Sequence, residues 1–280
     1  MLVGCLILTG WMLFRALNPW ALSLSDIDQA ENQGSKYYHT GSYATAQYER
    51  VERACNAIRR KQFEQALDAI ADGQQNDTKN PLFDYLRAAT LYRSGKINPA
   101  IDALKKGNAK GVLRLYATEK RPPDFWQWPE LNITYQLCKN IATDPTSTAP
   151  ALSAAIMAGN KIIWCEPSDP VRILLGISAR QFPAKRLAEL ARERNDYRLT
   201  RQCEYVIEEG QSFRWIIRRQ MHRKDSLDRE SRAWILGRSL HGDDVRFRRA
   251  AALVYLDKQA EWTAKVRARY MHPIKVTLRQ

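Results

Sequence analysis

The residues FEQALDAIADG at 63–73 are echoed 34 positions later by INPAIDALKKG at 97–107. Ala66, Asp68, Ala69 and Gly73 recur as Ala100, Asp102, Ala103 and Gly107, while Leu67/Ile101 and Ile70/Leu104 keep an aliphatic side chain. The same offset holds in the segments that come before. Arg53/Arg87, Ala54/Ala88 and Arg59/Arg93 are identical pairs, and small Cys55 stands against Ala89. Those leading segments, ERVERACNAIRRKQ from Glu49 and FDYLRAATLYRSGK, each suit a helix with one apolar stripe, as do the two echoes. The chain therefore writes a helix, a short turn and a second helix, and then writes them again.

Packing supplies a reason for the repetition. Ala54 with Ala66, and Ala88 with Ala100, let paired helices approach closely, and Leu67, Ile70, Ile101 and Leu104 fill the gap toward the next pair. One such pair cannot cover its own apolar face, so it must stack against a neighbour. Over residues 49–112 this pattern resembles the tetratricopeptide repeat, a 34-residue helix-turn-helix family that builds protein-binding superhelices. The resemblance implies an all-α solenoid of helical hairpins, with another protein as the partner. Candidate protein-binding residues are Arg53, Arg87 and Arg93, which recur at repeat spacing, with Tyr85 and Tyr92 beside them. The chain departs from the family where a bulky aromatic and then a leucine are expected in the first helix: Arg50 and Arg53 stand there, then Asp84 and Arg87.

The residues ahead of the repeat divide into two parts. MLVGCLILTGWMLF carries no charge before Arg15, and with ALNPWALSLS it is long enough to cross a bilayer if Arg15 snorkels and Trp11 and Trp20 sit at interfaces. Residues 1–24 thus read as a membrane-anchor helix or uncleaved signal segment, and 25–48, rich in Ser, Asp, Gln and Gly, as a polar tether. Leu2-Val3-Gly4-Cys5 is similar to a bacterial lipobox, but the apolar run continues beyond Cys5, which argues against lipidation. A helix buried in the fold is the other reading of this segment. Arg15 and the basic body favour a cytosolic body, with a periplasmic one as the alternative.

Beyond Lys110, GVLRLYATEK reads as a further helix ending the repeat region at 49–118. Residues 119–148 form an aromatic and proline-rich connection. Phe125, Trp126 and Trp128 there are either an aromatic platform or a plug over the open end of the repeats, and TDPTSTAP is a linker whose Ser and Thr can cap the next helix. Residues 149–280 are helical throughout in pattern, with breaks expected at Pro, Gly or Asp. RESRAWILG and RFRRAAALV are similar to the rhythm of HEAT-type repeats.

Chemistry-bearing motifs do not accompany this framework. His39, His222, His241 and His272 are too far apart for a metal motif, the five cysteines contain no CxxC pair, and no glycine-rich phosphate loop is present. Cys55 and Cys203 are expected to pack as small hydrophobes. The acidic pairs Glu208-Glu209 and Asp243-Asp244 lie near helix boundaries. No metal, cofactor, small-molecule substrate or enzymatic activity is therefore expected.

Charge is the remaining signal. The net charge is +14, and residues 171–280 hold 25 Lys+Arg against 13 Asp+Glu, so the excess lies mainly in the last third. In SFRWIIRRQMHRK an apolar face built on Phe213, Ile216 and Ile217 opposes Arg214, Arg218, Arg219 and Arg223, and Arg248 and Arg249 extend the basic field. These six arginines are candidates for contact with anionic lipid heads or, as a lesser alternative, nucleic acid. A solvated face paired with Glu204, Glu208 and Asp228 is the structural counterpart. The expectation from sequence is a membrane-tethered scaffold that binds another protein.

Overall fold

The computed structural model describes residues 42–116, 128–166, 170–216, 258, 260–271, 276 and 278. The first copy of the repeated unit forms α1 (Ser42–Arg59) and α2 (Phe63–Asn76), and the second forms α3 (Leu82–Arg93) and α4 (Ile97–Ala109). Two more pairs follow: α5 (Pro129–Thr143) with α6 (Ala149–Ile163), and α7 (Pro170–Glu193) with α8 over 197–216. Helix α9 spans 260–270. The described residues are thus all-α, in sequential antiparallel pairs.

Three of the four pairs reverse direction by the same device. At the end of α1, the Gln62 N–H donates to the Ala57 carbonyl and Lys61 N–H to Ile58. After α3, Lys96 reaches Leu91 and Gly95 reaches Tyr92. After α7, Asp196 reaches Ala191 and Asn195 reaches Arg192. This nested pair of bonds is the Schellman closure, which needs a left-handed residue just past the helix. Lys61, Gly95 and Asn195 fill that position with φ of 60°, 80° and 56°.

Glycines explain why the repeated pattern ends on Gly73 and Gly107. A Cβ on Gly73 would stand 2.1 Å from the Phe83 ring, and one on Gly107 would stand 2.6 Å from the Tyr85 ring. Helix α3 therefore presses one aromatic ring back onto α2 and another forward onto α4. Farther along, a Cβ on Gly159 would meet the Arg180 backbone at 2.6 Å, and one on Gly176 the Ile163 backbone at the same distance. These contacts fix α6 and α7 as antiparallel neighbours.

Antiparallel neighbours throughout put all four reversals on one edge and the connections between pairs on the other. On that second edge the connections are stitched together. Asn80, between α2 and α3, donates to the Arg114 carbonyl at 2.8 Å and to Tyr116 Oη at 3.0 Å, while its Oδ1 accepts from the Arg114 and Leu82 N–H groups. The opposite side of the same segment pairs with the residue past α6: Leu115 N–H donates to Glu166 and Glu166 N–H to Leu113, a parallel bridge. Lys161 closes the arrangement by donating to the Lys110 and Gly111 carbonyls at the end of α4. Residues 111–116, expected as helix, are thus extended. Their backbone groups are claimed by Asn80 and Glu166 instead of one another.

Other differences from the expected elements have equally local causes. Helix α1 begins at Ser42, within the stretch read as tether, because Ala44, Gln47 and Val51 continue its buried stripe, with the polar Gln47 masking the period. Pro183 and Gly210 do not break helices: α7 runs through the first, and Gly210 in α8 lets Gln181 approach. Thr148 precedes α6 without a side-chain capping bond, and the loop is shaped instead by Asp144, whose Oδ1 accepts from Thr146 N–H and Oγ1.

One apolar cluster runs from Val51 in α1 to Val206 in α8, with Ile58, Ile70, Leu104 and Leu137 fully or nearly buried along it. A second cluster, built on Ile163, Ile173, Ile177, Phe213 and Met271, seats Trp262 and Val266 of α9 against the ends of α6, α7 and α8. Among the described residues no helix is long and apolar enough to cross a membrane, and the segment expected as an anchor lies outside them.

Candidate functional site

The first helices of the pairs, α1, α3, α5 and α7, pack along one another, with α5 touching each of the other three. Between α1, the start of α5 and the start of α7 a cleft of about 480 Å³ opens. Its lining comes wholly from those first helices and from Trp128, the residue that precedes α5. That volume is within the usual range for ligand pockets.

Pro129 opens α5, where its fixed φ suits the first helical turn, and this sets Trp128 at the base of the cleft. The Arg172 guanidinium lies over the Trp128 ring, 3.9 Å from its centroid, and Arg172 is 2% exposed. Stacking of this kind holds a cation in a desolvated place. Val51, Cys55, Leu131 and Leu175 supply apolar walls, and Asn56, Glu52 and Arg59 stand at the exposed rim on α1. Glu130 is buried in the first turn of α5. The arrangement can accommodate an apolar side chain, with amide and charged groups placed to meet the backbone that carries it.

A second, open groove of about 500 Å³ lies between α1 and α2, lined by polar residues that include Arg53, Arg60, Asp68 and Asp72. Here the departures from the repeat pattern have a structural use. Arg50 Nε meets Asp72 at 2.8 Å and Arg53 meets the same oxygen at 3.3 Å, so both first-helix arginines bind their own pair's second helix. The Arg50 hydrogen bond and the two positive charges hold the Asp72 carboxyl below its ordinary value. Asp84, buried in α3, is likewise joined to Lys110 and accepts from Gln74 at 2.9 Å.

The other residues named from sequence fall in different places. Tyr85 is buried, with its hydroxyl donating to Asn108 Oδ1 at 3.0 Å, and burial raises its pKa well above the ordinary value. Tyr92 donates to Asp144 at 3.1 Å; burial first, then the Asp144 charge, push it to about 12. Both rings tie helices together. Arg87 and Arg93 are exposed on α3. Arg214 lies against α7, donating to Ser178 Oγ at 2.7 Å, whereas Arg218, Arg219, Arg223, Arg248 and Arg249 lie outside the described residues. So do Phe125, Trp126 and the four histidines. Cys55 and Cys203 are buried, and burial pushes the Cys203 thiol to about 12. Among the described residues no group of three His, Cys, Asp or Glu could hold a metal ion.

The sequence did not disclose Arg172 and Glu130 as cleft residues. A signal for the first was present in VRILLG, where a single charge interrupts an apolar helical run.

Fold and cleft define an all-helical protein of sequential helix pairs with a recess on its first-helix face. Comparison with protein-family models, with curated proteins and with solved structures found no match.

Proposed function

We propose that this chain is a membrane-tethered helical-repeat scaffold that binds another protein and performs no bond chemistry, with a segment of that partner seated in the cleft between α1, α5 and α7. One observation carries the reading: every residue lining the cleft belongs to a first helix of a pair or immediately precedes one. The resemblance of residues 49–112 to tetratricopeptide repeats implies a peptide-binding groove, and the cleft is a recess that can serve as one. The mixture of apolar walls with Asn56, Arg172 and Trp128 supports a peptide with a buried apolar side chain. Aromatic and arginine residues are also the groups that dominate protein-binding hot spots.

Selection of a displayed peptide library on the full-length protein tests this. Enriched peptides should bind the wild-type chain and lose at least tenfold in affinity against Asn56→Trp, which fills the cleft from an exposed position. Arg87→Glu, on α3 and away from the cleft, should bind them unchanged. Equal binding to wild type and Asn56→Trp, or no enrichment at all, would remove the proposal.

A further inference from the structure

We infer that the edge of the molecule carrying the helix reversals is a docking surface for anionic lipid headgroups. Four reversals lie in a row on that edge, as the antiparallel packing of α2 on α3, α3 beside α5, and α6 on α7 requires. At interaxial spacings of about 8–10 Å, four pairs give a row roughly 30 Å long. Of the cations on this edge only Arg59 also stands at the rim of the cleft, so the test leaves it unchanged.

Exposed cations concentrate on this row. Arg59, Arg60 and Lys61 surround the first reversal, Arg93 and Lys96 the second, and Arg194 and Arg198 the fourth. Among the described residues none of the seven has an ion-pair or side-chain hydrogen-bond partner, although the body pairs its cations readily, as Arg50, Arg114, Arg180, Arg186 and Arg192 illustrate. Among the acids of the same turns, Glu64 and Glu193 are exposed. Asp144 is engaged by Tyr92 and Thr146, and Asp196 by the Leu199 N–H. Helix dipoles do not offset this charge. Each reversal places the negative end of one helix beside the positive end of the next, so the two nearly cancel and the side chains set the sign.

An extended anionic surface suits cations that are distributed over several turns. The cations form separate, exposed clusters on turns spaced by the helix pairs. Tyr197, 77% exposed between Arg194 and Arg198, adds the amphipathic ring that favours the headgroup level. Each basic residue near such a surface strengthens binding by roughly fivefold at low salt.

The test uses the full chain and lipid vesicles with or without a quarter phosphatidylserine in phosphatidylcholine. The quantity read is the ratio of partition coefficients for the two vesicle types, in which any contribution of the apolar N-terminal residues cancels. Arg60→Gln with Lys61→Gln should lower this ratio about twenty-five-fold, and Arg194→Gln with Arg198→Gln independently as much. Circular dichroism should show each variant folded. Lys79→Gln with Lys106→Gln, on the opposite edge, should leave the ratio within twofold. Edge variants that partition like wild type would overturn the inference, as would an equal effect of the opposite-edge pair. Duplex DNA binding that falls with the same edge variants while the lipid ratio holds would assign the surface to nucleic acid instead.

Discussion

Replacing Glu209 by alanine probes the contact between α7 and α8 where burial is most complete. The Arg180 side chain has no exposure and that of Glu209 only 8%, and their N–O distance is 2.6 Å. Asn160 Oδ1 on α6, at 3.1 Å, is the other acceptor for the guanidinium. Burial already pulls the Arg180 pKa below its ordinary value, yet an arginine does not shed its proton near neutrality, so the charge stays. Removing the carboxylate should therefore cost about 3–5 kcal/mol, the penalty for stranding one ion of a buried pair. The same two helices contain an internal control. Arg192 and Glu204 meet at 2.9 Å with side chains 57% and 33% exposed, so water and salt screen them, and Glu204→Ala should cost less than about 1 kcal/mol. With a urea dependence of about 2 kcal/mol per molar, the midpoint should fall by about 2 M for Glu209→Ala and by less than about 0.5 M for Glu204→Ala. Far-ultraviolet circular dichroism during urea unfolding reads both. The double variant Arg180→Met with Glu209→Leu removes both charges and should recover most of the loss. Similar shifts for the two single variants, or a double variant no better than Glu209→Ala, would refute the argument that burial governs this pair.

Three further perturbations address other parts of the fold. Gly95→Ala should lose about 1 kcal/mol from backbone strain alone, since φ is +80° and nothing lies within 4 Å of an added Cβ; Gly107→Ala should lose about 1–3 kcal/mol through collision with Tyr85, and thermal unfolding measures each. Asn80→Asp removes the donor to the Arg114 carbonyl and Tyr116 and places a carboxylate beside Asp77, so a loss of about 3 kcal/mol is expected by urea unfolding. For alkaline pH, Tyr85, Tyr92 and Tyr116 are all raised, chiefly by burial, with Tyr92 at about 12. These groups ionise near 10 when unfolded, so their contribution is complete below that pH and is lost as pH rises from about 10 through 12. Denaturant midpoints measured across that window should fall, and the Tyr92→Phe variant should fall less steeply.

Legibility in the sequence followed the range of the interactions. The 34-residue echo disclosed two helix pairs because Ala66, Ala100, Gly73 and Gly107 answer to neighbours close along the chain. Helices that owe their continuity to distant contacts were harder to read. Pro183 looked like a break, and α7 passes through it because its surroundings are packed on both sides by α6 and α8. Residues 111–116 read as helix from their own composition, whereas Asn80 and Glu166 draw them straight. The candidate site was the least legible part. Arg53 and Arg87 share one repeat position and Arg93 answers to Arg59, but a repeat position does not fix a common surface. The cleft instead gathers Asn56, Trp128 and Arg172 from three pairs, and no spacing within the sequence connects them.

The stitched connections also bear on the order of folding. Helix pairs form through contacts between near neighbours, but the Asn80 to Arg114 bond spans 34 residues, and the bridge to Glu166 joins still more distant parts of the chain. Such closures come late, after the pairs exist, because the loop entropy must be overcome first. A bond absent from the transition state slows unfolding without hastening refolding. The edge opposite the reversals should accordingly govern how long the native molecule persists once assembled, while the hairpins govern how quickly it is reached.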